Sequence, residues 1–170
     1  MSRNIEIKAR VERLDELEAR AASIADEGPI AIAQDDTFFA CPNGRLKLRA
    51  FSANKGELIF YRRADAAGPK ESYYLITPTA ASDELRATLS EAYGQIGRVR
   101  KQRTLYLAGA TRIHLDRVEG LGDFMELEVV LGEGQTAEQG IEIAHELMAR
   151  LGISGDQLVE GAYLDLMRAG

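Results

Sequence analysis

Glu126-Leu127-Glu128 sets two carboxylates two residues apart, and along an extended strand that spacing points both side chains to one face. Joined by Glu6, they make a set able to converge on one Mg2+ or Mn2+, hard ions that accept carboxylate oxygens and retain water. The basic residues are ordered in the same way. Arg45, Lys47 and Arg49 alternate with Leu46 and Leu48, and Lys101 and Arg103 share a face farther along the chain. These cations exceed what three or four acidic partners neutralise. Donors are therefore left for phosphoryl oxygens, which Arg grips bidentately and Lys meets as a point charge. Carboxylates beside a surplus of cations describe the chemistry of a metal-bound polyphosphate.

Such side chains must be carried on strands whose charged faces look into a common interior. Segment 3–11 alternates strictly, with Asn4, Glu6, Lys8 and Arg10 on one face and Ile5, Ile7, Ala9 and Val11 on the other. Leu14, Leu17, Ala21 and Ile24 at helical spacing predict a helix over 12–26, ended by Gly28-Pro29. Four strands follow over 30–40, 45–51, 57–63 and 71–77. A helix is expected from Ser82 to about Tyr93, then strands over 98–107, 111–118 and 123–131, with helices over 137–151 and 156–168. For any single strand a solvated polar face would explain the alternation, but its charges would be mixed rather than sorted by sign. The expected fold class is α+β: eight strands rolled into a closed antiparallel β-barrel, with helices packed outside and the sorted charges meeting in the lumen.

At 170 residues the chain suits one domain spanning 1–170. With 45% hydrophobic and 28% charged residues it reads as soluble and globular, neither disordered nor fibrous. A net charge of -6 argues against a nucleic-acid partner. The balance is uneven, however: basic residues gather in 45–49, 61–63 and 98–103, acidic ones in 12–27 and 138–165. Basic inside and acidic outside fits a small polyanionic ligand. Cys41 is the only cysteine, which rules out an internal disulfide or a Cys-based zinc cluster and fits a reducing compartment; a cytoplasmic location is expected. No signal-peptide core or membrane-length apolar run is present, so no membrane partner is expected.

Several of these stretches also carry a family resemblance. Asn4-Ile5-Glu6-Ile7-Lys8 resembles the Glu-x-Glu-x-Lys signature of the CYTH superfamily, the triphosphate tunnel metalloenzymes. Gln34-Asp35-Asp36-Thr37-Phe38-Phe39, Arg45-Leu46-Lys47-Leu48-Arg49, Val99-Arg100-Lys101-Gln102-Arg103, 121–128 and Tyr163-Leu164-Asp165-Leu166-Met167 follow in that family's order. Residues 57–70 and 111–116 are most similar to the class IV adenylate cyclase branch. The resemblance implies that Glu6, Glu126 and Glu128 hold the metal, Mg2+ or Mn2+. It further implies that Lys8, Arg45, Lys47, Arg49, Arg63, Lys101 and Arg103 hold the triphosphate, Lys8 and Arg63 also being catalytic. The activity it implies is conversion of ATP to cyclic AMP and pyrophosphate. The alternatives are a triphosphatase acting on inorganic, thiamine or nucleoside triphosphate, with Lys8 orienting or deprotonating water, and a non-catalytic binding module. Asn4 departs from the signature, standing where the family has a glutamate, and leaves open whether one metal or two is held. Asp36, His114 and Asp116 read equally as site or structural residues. His145 reads as surface, Tyr163 and Asp165 as packing against the tunnel, Cys41 as passive. A monomer and a homodimer are both compatible with the sequence.

Overall fold

The computed structural model describes residues 2–64 and 66–169. The alternating segments form β1 (Ser2–Arg10), β2 (Glu27–Phe39), β3 (Arg45–Ser52), β4 (Lys55–Arg63), β5 (Lys70–Thr79), β6 (Gln95–Ala108), β7 (Thr111–Val118) and β8 (Gly122–Val130). All neighbours pair antiparallel, and the order β1-β5-β4-β3-β2-β6-β7-β8 closes on itself. Closure removes sheet edges and gives each strand one inward and one outward face. The expected α+β barrel is thus the observed one.

Outward residues of the barrel meet the helices. Ile7, Ala9, Ile113, Leu115, Met125 and Leu127 pack beneath Leu14, Leu17 and Ala21 of α1 (Leu14–Ile24) and Leu147, Met148 and Leu151 of α3 (Ala137–Leu151). α3 is well specified locally. Thr136 and Gln139 form a reciprocal capping box at its start, and Gly152, with φ 72°, ends it while the Ile153 N–H reaches the Met148 carbonyl at 2.9 Å. α2 (Ser82–Tyr93) lies over β2, β3 and β4, and α4 (Tyr163–Ala169) lies against β6. No described helix is long and apolar enough to cross a membrane.

Two expectations are corrected. Gly28-Pro29 does not end α1, which stops at Ile24; it lies inside β2, where the pairing with β6 shifts register between Glu27 and Ile30. A bulge tolerates a residue without an N–H, so proline there need not break the strand. The tail over 156–168 is not one helix. A single 3-10 turn covers Gly155–Gln157, after which the chain runs extended along the end of β1: Ala9 bridges Leu158, and the Val159 N–H donates to the Lys8 carbonyl at 3.0 Å. Gly161, with φ 85°, turns the chain into α4.

Candidate active site: a charged tunnel closed at one end

The barrel encloses a cavity of about 480 Å3, within the range of small-molecule sites. Strand register orders its lining along the axis. At one mouth stand Ile32, Phe51, Ile76 and Leu105, with Ile76 45% exposed. At the other end Phe38, Tyr61, Val99 and Tyr163 are buried, Tyr163 being 5% exposed. The C-terminal segment closes that end. Leu164 of α4 sits where a Cβ on Gly97 would come within 2.2 Å of its Cδ1, so the lack of a side chain at position 97 lets α4 approach β6.

Between the two ends the charges are sorted into clusters. Asp36 on β2 is fully buried and accepts two hydrogen bonds from Arg49, at 2.9 and 2.8 Å, while Lys47 and Lys101 lie 3.2 and 3.3 Å from the same carboxylate. Burial alone would raise its pKa, but Arg49, Lys101 and Lys47 together hold it well below the usual carboxylate range. The lysines pay the opposite way. Burial pushes Lys101 down to about 7, and burial together with Arg49 pushes Lys47 down to about 8. A second cluster centres on Asp116, which takes both prongs of Arg103 at 2.7 Å and the Tyr163 O–H at 2.6 Å; the Arg103 guanidinium brings this carboxyl down against the effect of burial. Lys8 donates to the Gly161 carbonyl at 3.0 Å, lies 3.3 Å from Glu126, and stands 4.0 Å from the centre of the Tyr163 ring. Burial lowers its pKa.

The carboxylates form the third cluster. Register sets Lys8 and His114 on either side of Glu126, and Glu6 and Arg112 on either side of Glu128. An imidazole nitrogen of His114 and oxygens of Glu126 and Glu128 all lie within 4.8 Å of one another. Glu128 Oε2 accepts from Asn4 Nδ2 at 2.9 Å and Arg112 at 3.0 Å, leaving Oε1 facing His114 Nδ1 at 3.0 Å. Burial and the nearby Arg103 guanidinium lower the His114 pKa, favouring a neutral ring. Lys8 and Arg103 hold Glu126 well below its ordinary value against burial, whereas burial and the Glu128 charge raise Glu6.

The residues singled out from the sequence fall as follows. Glu6, Lys8, Lys47, Arg49, Arg63, Lys101, Arg103, Glu126 and Glu128 all line the cavity. Glu6 is turned to Arg63, whose Nη1 donates to it at 2.9 Å, while Glu126 and Glu128 gather with His114. Arg45 bonds Asp165 of α4 at 2.6 Å, beside the closed end. Asn4 is fully buried and orients Glu128 through its amide. His145 is exposed on α3, as expected. Sequence reasoning left Asp36 and His114 undecided and passed over Gln34 and Tyr74, which also line the cavity. The alternation Gln34, Asp36, Phe38 carried the signal for the first of these: a charged residue in phase with inward positions of its strand.

The family model of the CYTH domain matches residues 2–163. The chain belongs to the CYTH domain family. Among CYTH-like relatives, adenylate cyclase CyaB of Aeromonas hydrophila is 24% identical over 164 residues, spanning 91% of this chain and 84% of that protein. The PH1012 protein of Pyrococcus horikoshii OT3 superposes with a TM-score of 0.85 at 24% identity, covering 96% of this chain and 99% of that one. The Hippeastrum protein HpAC1, described as having a dominant triphosphatase activity, superposes with a TM-score of 0.67 at 17% identity over 100% of this chain and 96% of its own. The chain thus shares its fold with a protein described as having triphosphatase activity and is similar in sequence to one named an adenylate cyclase.

Proposed function

We propose that this protein is a metal-dependent enzyme acting on a triphosphate inside the tunnel, as a class IV-type adenylate cyclase that converts ATP to cyclic AMP and pyrophosphate. The observation that carries the reading is the sorted charge of a deep cavity closed at one end: basic side chains surround a largely buried carboxylate cluster. Glu6, Glu126 and Glu128 are the carboxylates that would hold Mg2+ or Mn2+; the donor set fits at Glu126 and Glu128, whose oxygens converge with a nearby imidazole, and Glu6, bonded to Arg63 at 2.9 Å, would join them by turning from that guanidinium. The cation, when bound, neutralises polyphosphate charge and polarises phosphoryl oxygens.

The chain's own residues do the rest. Lys47, Arg49, Lys101 and Arg103 replace the hydration shell of the polyphosphate with fixed donors, and Arg45 and Arg63 extend that grip toward the closed end. Polyphosphate held this deep leaves the ribose nearer the mouth, where the 3′-hydroxyl would attack the α-phosphorus and give up its proton to water, and pyrophosphate would leave as the bond from the α-phosphorus to the bridging oxygen breaks. Positioning and charge stabilisation supply most of the rate. A second reading, a triphosphatase, is favoured by Lys8: its ammonium is buried at the closed end with its pKa lowered, placed to orient a water against a terminal phosphorus. The single free Cys41 fits a cytoplasmic enzyme.

The deciding experiment incubates the protein with Mg2+ or Mn2+ and, separately, ATP, inorganic triphosphate and thiamine triphosphate, resolving cyclic AMP, pyrophosphate and orthophosphate. Cyclic AMP with equimolar pyrophosphate supports the cyclase. Orthophosphate without cyclic AMP would replace it by the triphosphatase.

A further inference from the structure

We propose that His114 is an inner-sphere ligand of the tunnel's divalent cation, and that this nitrogen donor makes the site favour Mn2+ and Co2+ over Mg2+. The inference rests on the metal-dependent reading above and adds to it a ligand and a selectivity.

The geometry starts from Glu128. Asn4 and Arg112 both bond Oε2, which fixes the carboxylate and presents Oε1 to the His114 Nδ1 3.0 Å away. Despite this proximity Nδ1 is a buried polar atom that meets no hydrogen-bond partner in good geometry, and Asn4 Oδ1, on the other side of Glu128, is another. Buried polar groups are nearly always satisfied, so two orphans flanking one carboxylate call for a missing partner. A divalent cation between Nδ1 and Oε1 would accept a lone pair from each and satisfy both at once. Adjacent ligand atoms around an octahedral ion with bonds of ~2.1 Å stand about 3.0 Å apart, which matches the observed separation. Glu126, opposite His114 on β8, supplies the third donor within reach.

Selectivity follows from the donor type. Carboxylate and water suit Mg2+, whereas imidazole binds it poorly and binds first-row transition ions progressively better from Mn2+ to Co2+. A tunnel with only oxygen donors would discriminate weakly; one that adds an imidazole should not. Asn4 then acts as an outer residue that orients Glu128, in the way hydrogen-bonded neighbours set the posture of metal ligands.

The test compares metal-free wild type, His114→Gln and the double variant Glu126→Gln/Glu128→Gln by calorimetric titration with Mg2+, Mn2+ and Co2+. Circular dichroism and thermal unfolding check that each is folded. Wild type should prefer Mn2+ to Mg2+ by about tenfold or more, and His114→Gln should narrow that gap by weakening Mn2+ and Co2+ more than Mg2+. The visible Co2+ absorption bands should also change in that variant. A second measurement needs no mutation: Mn2+ added to 15N-labelled wild type should broaden the His114 imidazole resonances and spare those of exposed His145. Mn2+ bound with both histidines unaffected, or an unchanged metal preference in His114→Gln, would overturn the His114 assignment alone. Unaltered Mn2+ binding by the double carboxylate variant would instead sink the metal site of the functional reading, and this inference with it.

Discussion

Asp36 holds Arg49, Lys47 and Lys101 at once, and all three side chains are largely buried around it. Asp36→Ala should therefore cost about 3–5 kcal/mol by leaving buried cations unpaired, read by denaturant unfolding. Inorganic triphosphate should restore much of the loss, because it brings the missing negative charge. Equal triphosphate-induced stabilisation of wild type and variant would show that the ligand does not meet these three side chains. The sequence showed the cations but not this anchor. Arg45, Lys47 and Arg49 announce themselves by sorted sign, whereas Asp36, one of the adjacent pair Asp35-Asp36 ahead of Thr37, reads equally as a site or a structural residue. The expectation of surplus cations also changes: Arg49 and Arg103 are each paired bidentately with a carboxylate, so Arg49→Ala should weaken the unliganded fold. Asn4→Glu tests a neighbouring point. It replaces the amide donor to Glu128 by a like charge, so the metal-free protein should melt lower and the shift on adding Mn2+ should grow, as a thermal-shift titration would show.

At the scale of elements, the least legible piece was the tail. Apolar residues at helical spacing fit a helix over 156–168. Pairing of 158–159 with the end of β1 nevertheless outweighed local preference, a tertiary contact that no periodicity encodes. The strands were legible because alternation is a two-residue signal that a barrel enforces on every strand; their ends were not, and β2 begins earlier than its apolar run. The tail matters because it delivers Tyr163, whose hydroxyl holds Asp116 and whose ring lies against Lys8. Tyr163→Phe keeps the ring and deletes one buried hydrogen bond to a charged group. We expect about 1–3 kcal/mol of destabilisation by chemical unfolding, with the barrel intact. No loss at all would mean that Asp116 is fully served by Arg103.

For the molecule as a whole, buried charge makes stability a function of pH in two opposite ways. Asp36, Asp116 and Glu126 have folded pKa values below their unfolded ones, so the stability they contribute is present above about pH 4 and is lost as pH falls through their folded values. Lys101 and Lys47 are lowered to about 7 and about 8, so between there and about pH 10 the unfolded chain binds more protons and ligand-free stability should rise with pH. Polyphosphate should return both lysines to the charged form. Binding at pH 8 should accordingly take up on the order of one proton, measurable by calorimetry in buffers of different ionisation heat. Zero uptake would place the ligand away from Lys47 and Lys101. The closed end has a consequence of another kind. A tunnel stoppered by Tyr163 and open past Ile32 and Ile76 is a blind alley, and a phosphate chain would enter it by a free tip. The protein would then recognise termini rather than interior linkages. ATP and inorganic triphosphate should compete for the site, whereas a dinucleoside polyphosphate, capped by a nucleoside at both ends, should be turned away however many phosphates it carries.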